Sequence, residues 1–166
     1  MNYTEIERKF LVVNQDFKAL AKEQFVIKQG YLNSTAERCV RVRLYGTKGF
    51  ITVKGISSEN GMSRFEWEKE IPSEEAEVLL QMCEPGIIEK TRFIVDYKQH
   101  RFEVDEFTGL NAGLVMAEIE LKNEEEEFLS PPWLGEEVTG NQKYYNASLS
   151  KYPYTFWQRA FLFPAN

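Results

Sequence analysis

The chain opens on a segment in which charged and apolar side chains alternate. Glu5, Glu7 and Lys9 share one face if the segment is a β-strand, because successive side chains of a strand point to opposite faces. Ile6 and Phe10 then lie on or near the other face. A row of two carboxylates and an ammonium is costly inside an apolar core. The segment therefore predicts either a solvated strand face or a water-filled site that holds a cation beside a polyanion.

The same alternation recurs along most of the chain. Runs rich in β-branched and aromatic residues, separated by turn-forming residues, predict eight strands. In seven of these strands, ionisable residues stand two apart on one face while Ile, Val, Phe, Trp or Leu occupy the other. The predicted strands cover residues 5–12, 25–32, 39–45, 50–54, 64–70, 88–96, 101–107 and 114–122.

Two short helices interrupt the predicted strands. Asn14 is placed to cap a helix that ends near residue 22. Pro72 and Ser73, followed by two glutamates, start a second helix, since acidic side chains are favoured at the positive end of the helix dipole.

The last part of the chain is predicted to be helical. The acidic run at 124–127 indicates a solvated first helical turn. Residues 131–166 carry too much apolar surface for a disordered tail, and we expect short helices there, one of them beginning near Asn141. The chain is accordingly expected to form a single domain over residues 1–166, with a helical part from about residue 123 that packs on the sheet.

The grouping of charges by sign favours a closed barrel over an open sheet with one solvated face. Basic residues are paired at 41–43 and 90–92, whereas carboxylates are paired at 5–7, 103–105 and 118–120. Like charges side by side on a solvated face repel each other and gain nothing. Closure of the strands into a barrel would point these charged side chains into a narrow interior. There they require water, metal and an oppositely charged ligand. The predicted fold is therefore α+β: a closed eight-stranded antiparallel β-barrel, or tunnel, with helices packed on its outside.

Charge and composition limit the classes of partner. The formal net charge of −6 argues against a general binder of nucleic acid or of anionic membranes, because both need a basic surface. No apolar run approaches the roughly 20 residues of a membrane-spanning helix. The two cysteines stand in unlike contexts and the first residues contain no apolar signal core, so we expect a cytoplasmic protein with reduced thiols. The sequence does not determine the oligomeric state, and a homodimer is one possibility.

Several segments of the chain, taken in order, resemble those of a known family. The stretch Glu5-Ile6-Glu7-Arg8-Lys9 is similar to the ExExK signature of the CYTH family, also called triphosphate tunnel metalloenzymes. The later segments follow in that family's order, and the tail resembles its short bacterial branch. These segments are Lys28–Leu32, Arg41–Arg43, Thr52–Gly55, Arg64–Glu68, Glu89–Arg92, Glu103–Asp105, Glu118–Glu120, Glu137–Asn141 and Tyr144–Asn146.

The resemblance implies a tunnel that binds a triphosphate or nucleotide and acts on it with Mg²⁺ or Mn²⁺. We expect Glu7, Lys9 and Lys90 to be catalytic, and Tyr31 and Lys143 are further candidates for contact with substrate. The residues that resemble the phosphate clamp are Lys9, Arg41, Arg43, Lys54, Lys90 and Arg92. Those that resemble the metal-binding carboxylates are Glu5, Glu7, Glu118, Glu120 and, as an addition, Asp105.

The favoured function is hydrolysis of inorganic triphosphate by a divalent-metal-dependent enzyme, since no side chain can be assigned to reading a purine. Within the same family, the alternatives are a class IV-type adenylate cyclase, which would take ATP, and a thiamine triphosphatase. An alternative of another class is a non-catalytic module that binds polyphosphate or nucleotide. An open-sheet interaction protein would bind neither metal nor phosphate.

Overall fold

The computed structural model describes residues 3–157 and contains every strand that the alternation predicts, together with one more. The helices are α1 (Phe17–Leu20), α2 (Ser73–Gln81) and α3 (Asn146–Lys151). The strands are Thr4–Val12 (β1), Glu23–Asn33 (β2), Arg38–Tyr45 (β3), Lys48–Ser57 (β4), Ser63–Ile71 (β5), Ile88–Tyr97 (β6), His100–Phe107 (β7), Val115–Glu120 (β8) and Leu134–Glu137 (β9).

The first eight strands close into an antiparallel barrel, as predicted. Their order is β5-β4-β3-β2-β6-β7-β8-β1, and β1 returns to β5. The first residues of β1 pair with β5, with Glu5 opposite Arg64, while its later residues pair with β8, with Glu7 opposite Glu120. Because paired residues present their side chains to the same face, this register aligns the charged faces of neighbouring strands around one lumen.

The apolar faces of the strands point outward and are covered by helices and loops. On one side, Ala76 and Leu80 of α2 pack over Val42 of β3. On another, Phe17 of α1 contacts Trp133 edge-on, with ring centroids 6.1 Å apart. Burial of this outer apolar surface supplies the hydrophobic stabilisation of the barrel.

One end of the barrel interior is filled by an apolar plug. Inward positions at the ends of β6, β7 and β8 carry apolar residues, which meet side chains from the last part of the chain. The apolar plug consists of Ile88, Phe107, Leu114, Met116, Leu149 and Trp157, all almost inaccessible to solvent. The last segment therefore closes one end of the tunnel as well as covering its outside.

The short elements differ from the sequence-based expectation in several places. The helix predicted after Asn14 has only four residues, and Asn14 Oδ1 accepts from Asp16 N, so it stabilises a tight turn before the helix. The segment after residue 123 contains β9 before its helical turns, because backbone groups at the edge of β1 are free to pair there.

The acidic run at 124–127 forms turns. Glu126 accepts a hydrogen bond from the backbone N–H of Lys122 at 2.5 Å, which ties the run back to the end of β8. Near Asn141 the chain forms a 3-10 turn, Gln142–Tyr144, capped by Asn141 Oδ1. The part of the helical prediction that falls after residue 157 lies outside the described residues.

Within residues 3–157, every helix is too short or too polar to cross a bilayer.

Candidate active site

The barrel encloses a cavity of about 1270 Å³ whose wall includes side chains from all eight strands. Acidic and basic side chains occur in equal number among the described residues of this wall, so it is nearly neutral as a whole. The predicted site residues that line the cavity are Glu5, Glu7, Lys9, Tyr31, Arg41, Arg43, Lys54, Lys90, Arg92, Glu118 and Glu120.

Lys9 stands between carboxylates of two strands. Its Nζ lies 3.1 Å from Glu7 Oε1 and 2.5 Å from Glu118 Oε1. Burial alone would lower the pKa of Lys9, but Glu118 and Glu7 outweigh it, and the net shift is upward. Lys9 is therefore a permanent ammonium at neutral pH. Two of its three N–H donors have partners, and the third is available to a ligand.

Arg64 and Lys54 also hold the carboxylates of β1. Arg64 donates from Nε to Glu5 at 2.9 Å and from Nη2 to Glu7 at 3.1 Å. Lys54 Nζ lies 3.0 Å from Glu5 Oε2 and also contacts Glu66. These pairs fix the directions in which the two β1 carboxylates present their remaining oxygens to the lumen.

Arg41 and Arg43 are neighbours on β3 and share one carboxylate. Their Nη2 atoms lie 3.3 and 3.2 Å from the oxygens of Glu68, which also accepts from Thr52 Oγ1 at 2.7 Å. Within residues 3–157, neither arginine Nε has a hydrogen-bond partner, although both atoms are buried. Burial and the adjacent Arg41 lower the pKa of Arg43 to about 10. The pair is a local excess of positive charge with unused donors.

Lys90 and Arg92 of β6 form the most deeply buried ion-pair network. Arg92 binds Asp105 through Nε and Nη2, both at 2.7 Å, and also contacts Glu103 and Glu118. Lys90 Nζ lies 2.5 Å from Asp105 Oδ2. Burial opposes ionisation of Asp105, yet Arg92 and Lys90 hold its pKa below the ordinary value. Asp105, predicted as an additional metal ligand, instead lies behind these two bases and is committed to them.

Two other predicted contacts lie in different surroundings. Tyr31 is almost fully buried in the cavity wall, where its hydroxyl accepts a weak hydrogen bond of 3.4 Å from Gln29 Nε2. Lys143, the other candidate for contact with substrate, is absent from the cavity wall, and its Nζ lies 3.9 Å from the centre of the Trp157 ring. The cation–π contact holds Lys143 beside the apolar plug.

The structure adds wall residues that the site prediction left out. Three of the charged ones come from β5, whose alternating charges have the same period as those of β1. The sequence shows the period of two in β5, but it does not show which side chains on neighbouring strands pair with each β5 charge. Those that pair with predicted site residues include Arg64, Glu66, Glu68, Glu103 and Asn146.

Comparison with known proteins decides the family. The model of the CYTH domain matches residues 3–156, nearly the whole chain. The chain belongs to the CYTH family. The resemblance of its ordered motifs is thereby confirmed.

Relatives of this CYTH protein include an inorganic triphosphatase of Acetivibrio thermocellus. It is 48% identical over 151 residues, which cover 90% of this chain and 95% of the relative. A second inorganic triphosphatase, of Nitrosomonas europaea, is 38% identical and is matched over 97% of its length. Among solved structures, the crystal structure of an inorganic triphosphatase matches at 35% identity with a TM-score of 0.62, covering 88% of this chain and 93% of that one.

Membership of the CYTH family implies a divalent metal, which the carboxylates of this tunnel would have to bind. Within residues 3–157, no three Asp, Glu, His or Cys side chains already stand together as a metal-binding group. Most lumen carboxylates are instead turned toward lysine or arginine partners.

The side chain of Glu120, by contrast, makes no hydrogen bond or ion pair with another described residue, although its backbone belongs to the β8 ladder. Partial burial, together with the carboxylates of Glu5 and Glu103, raises the pKa of Glu120 above its ordinary value. A hard divalent cation with oxygen ligands would relieve this crowding of negative charge. The donor set of this CYTH protein therefore fits Mg²⁺-type chemistry.

Proposed function

We propose that this CYTH protein hydrolyses inorganic triphosphate in its tunnel, with Mg²⁺ or Mn²⁺ as cofactor. Two curated relatives carry the name inorganic triphosphatase and are matched over almost their full lengths. The substrate would be a small polyanion held inside the barrel. Hydrolysis of a phosphoric anhydride demands mainly positioning and charge neutralisation from a protein, and the lumen of this chain is built from charged side chains.

The observation that carries the proposal is the pair of unused donors on β3. Arg41 Nε and Arg43 Nε are buried without a hydrogen-bond partner in the described part of the chain. A buried donor without a partner costs free energy unless a ligand or water satisfies it. Planar guanidinium groups match the oxygens of a phosphate, so these donors support a phosphate position beside β3.

The metal is assigned to Glu5, Glu7 and Glu120, with Glu118 as the neighbouring carboxylate. Glu7 and Glu120 are paired across β1 and β8, and Glu5 is two residues before Glu7 on the same face. A divalent cation bound there would neutralise charge on the phosphate oxygens and activate a water. Arg64 positions the carboxylates of Glu5 and Glu7 through its two hydrogen bonds.

The lysines are assigned to the phosphate that departs. Lys9 and Lys90 belong to one ion-pair network that runs through Glu118, Arg92 and Asp105. Each lysine has two carboxylate or amide partners and one remaining N–H. That N–H would stabilise negative charge on the leaving phosphate. Burial, only partly offset by Asp105, lowers the pKa of Lys90 to about 8, which suits proton donation near neutral pH.

A phosphate-release panel tests the function. Purified protein is given tripolyphosphate, ATP, thiamine triphosphate or pyrophosphate, each with Mg²⁺, with Mn²⁺ or with a chelator. We expect fastest release from tripolyphosphate and none in the chelator. Activity that is unchanged by the chelator would remove the metal assignment.

The other outcomes of the panel separate the rival functions. A cyclic nucleotide formed from ATP would identify a cyclase, and preferential release from thiamine triphosphate would identify a thiamine triphosphatase. Tight binding of tripolyphosphate without any release, measured by titration calorimetry, would identify a binding module. Each result contradicts the proposed hydrolysis of inorganic triphosphate in a different way.

A further inference from the structure

Helix α3 brings an amide side chain from outside the barrel to a lumen lysine. Asn146, the first residue of α3, lines the cavity, and Lys90 Nζ donates to its Oδ1 at 3.3 Å. A lysine ammonium has only donors, so the amide oxygen, and not the NH₂ group, must face it. Asn146 thus connects α3 directly to the ammonium group of a lumen lysine.

The helix that carries Asn146 is firmly anchored. Leu149 is completely buried in the apolar plug, and its carbonyl accepts from Asn111 Nδ2 at 3.5 Å. Gly86 packs so closely on α3 that a Cβ there would lie 2.0 Å from Ser150 O. Because α3 cannot shift easily toward or away from β6, the Asn146 amide defines a fixed point for the Lys90 side chain.

Lys90 needs such a fixed point because its own stem is flexible. Asp105 accepts one N–H at 2.5 Å and Asn146 a second, while the Phe107 ring centre lies 5.2 Å away on the apolar side. Two acceptors held by different elements determine where the third N–H points. With one acceptor alone, the ammonium could rotate about its bond to Asp105.

We propose that Asn146 is a positioning residue, which acts through Lys90 to direct its remaining N–H at the substrate phosphate. This inference rests on the proposed triphosphatase function and extends it to a residue of the C-terminal segment. One short helix then links the apolar plug to the reaction site. Leu149 anchors this helix in the plug, and Asn146 at its start is thereby held against Lys90.

The test compares variants that keep or lose the acceptor. In Asn146→Ala, we expect kcat for the best substrate of the four-compound panel to fall about tenfold with little change in KM, the loss expected for a hydrogen bond to a charged group. Asn146→Asp keeps an oxygen at the same place and adds a negative charge. We expect it to retain more of kcat than Asn146→Ala but to raise KM for the polyanion.

A matched control lies on the same helix. Lys151→Ala alters the exposed end of α3 and should leave both kcat and KM at the wild-type values. Thermal melting followed by circular dichroism checks that each variant is folded at the assay temperature. If Asn146→Ala is not, Asn146→Leu replaces it, since leucine has nearly the same shape without an acceptor.

Each remaining outcome has a definite meaning. A wild-type kcat in folded Asn146→Ala or Asn146→Leu would overturn the inference, and so would a change confined to KM. Equal losses of kcat in the alanine and aspartate variants would also overturn it, because the acceptor would then not matter. A wild-type protein that prefers another compound to tripolyphosphate corrects the proposed function alone, and one that turns over none of the four overturns both.

Discussion

The interior of the barrel has two regions built on the same faces of the same strands. At one end lies the apolar plug, and two residues further along β6, β7 and β8 the inward-facing side chains become charged. The change from apolar to charged is abrupt because the period of a strand allows no intermediate position on the same face. The paired positions are Ile88 and Lys90 on β6, Phe107 and Asp105 on β7, and Met116 and Glu118 on β8.

The two regions contribute differently to the protein. Each apolar side chain buried in the plug stabilises the fold by about 1.5–3 kcal/mol. Buried ion pairs gain little net stability, because the cost of removing both charges from water nearly cancels their attraction. The charged region is therefore explained by ligand binding, whereas the plug maintains the barrel around it. Substitutions in the charged region should lower activity, and substitutions in the apolar plug should lower the free energy of unfolding.

The largest expected effect comes from removing a carboxylate of the charged region. Glu7→Gln keeps the shape but loses the charge beside Lys9 and Arg64, and we expect kcat on tripolyphosphate to fall at least about 100-fold. Glu137→Gln is the matched control, because Glu137 pairs with Arg8 on the outside of the barrel. Steady-state phosphate release measures both variants. Equal rates in Glu7→Gln and wild type would contradict the assignment of metal-binding carboxylates.

The next effect is on stability and belongs to the plug. Leu149→Ala leaves a cavity among buried apolar side chains, and we expect the free energy of unfolding to fall by about 2–5 kcal/mol. Urea denaturation measures it. Leu129→Ala, at an exposed position, should change the stability by less than about 0.5 kcal/mol. If Leu149→Ala were as stable as wild type, the plug would not stabilise the fold.

A smaller effect is expected at the phosphate-binding arginines. Arg41→Ala removes a guanidinium with an unused donor, and we expect KM for tripolyphosphate to rise about tenfold while kcat changes little. Arg38→Ala changes an exposed residue of the same strand and serves as the control. A fall in kcat with unchanged KM would show that Arg41 acts on the reaction step and not on binding.

The smallest effect is a pH dependence that arises where the two regions meet. Burial near the plug lowers the pKa of Lys90 to about 8, so its ammonium is lost as the pH rises through that value. We expect kcat on tripolyphosphate to fall a few-fold between about pH 7.5 and 9, because the deprotonated amine no longer stabilises the leaving phosphate. Lys90→Arg, which stays charged, should show a flatter profile at the same substrate and metal concentrations. Identical profiles for the two proteins would exclude Lys90 as the titrating group.

The lowered pKa of Lys90 also makes the folding stability depend on pH. The folded protein releases this proton near pH 8, while the unfolded chain keeps it to about pH 10.5. Between these values the unfolded state binds more protons, so this group's contribution to folding stability rises with pH.

Much of the fold could be predicted from local pattern because strands have a period of two. The alternation identified eight strands and the face that carries the charges, and grouping by sign indicated closure. The strand β9 and the turns at 124–127 were not predicted, since they depend on which sheet edge and which neighbouring groups the chain meets. Local composition contains no information on such partners.

For the site, the sequence by itself determined which side chains face the lumen, since the residue types and their period are properties of single strands. Only the tertiary structure decided how they are paired. Lys9 and Glu118 are 109 residues apart, and their contact depends on the register between β1 and β8. Register and packing likewise placed Asp105 behind Lys90, Lys143 against Trp157, and Asn146 at the lumen. The physical reason is that charge attraction acts through space, whereas the sequence pattern reports only neighbours along the chain.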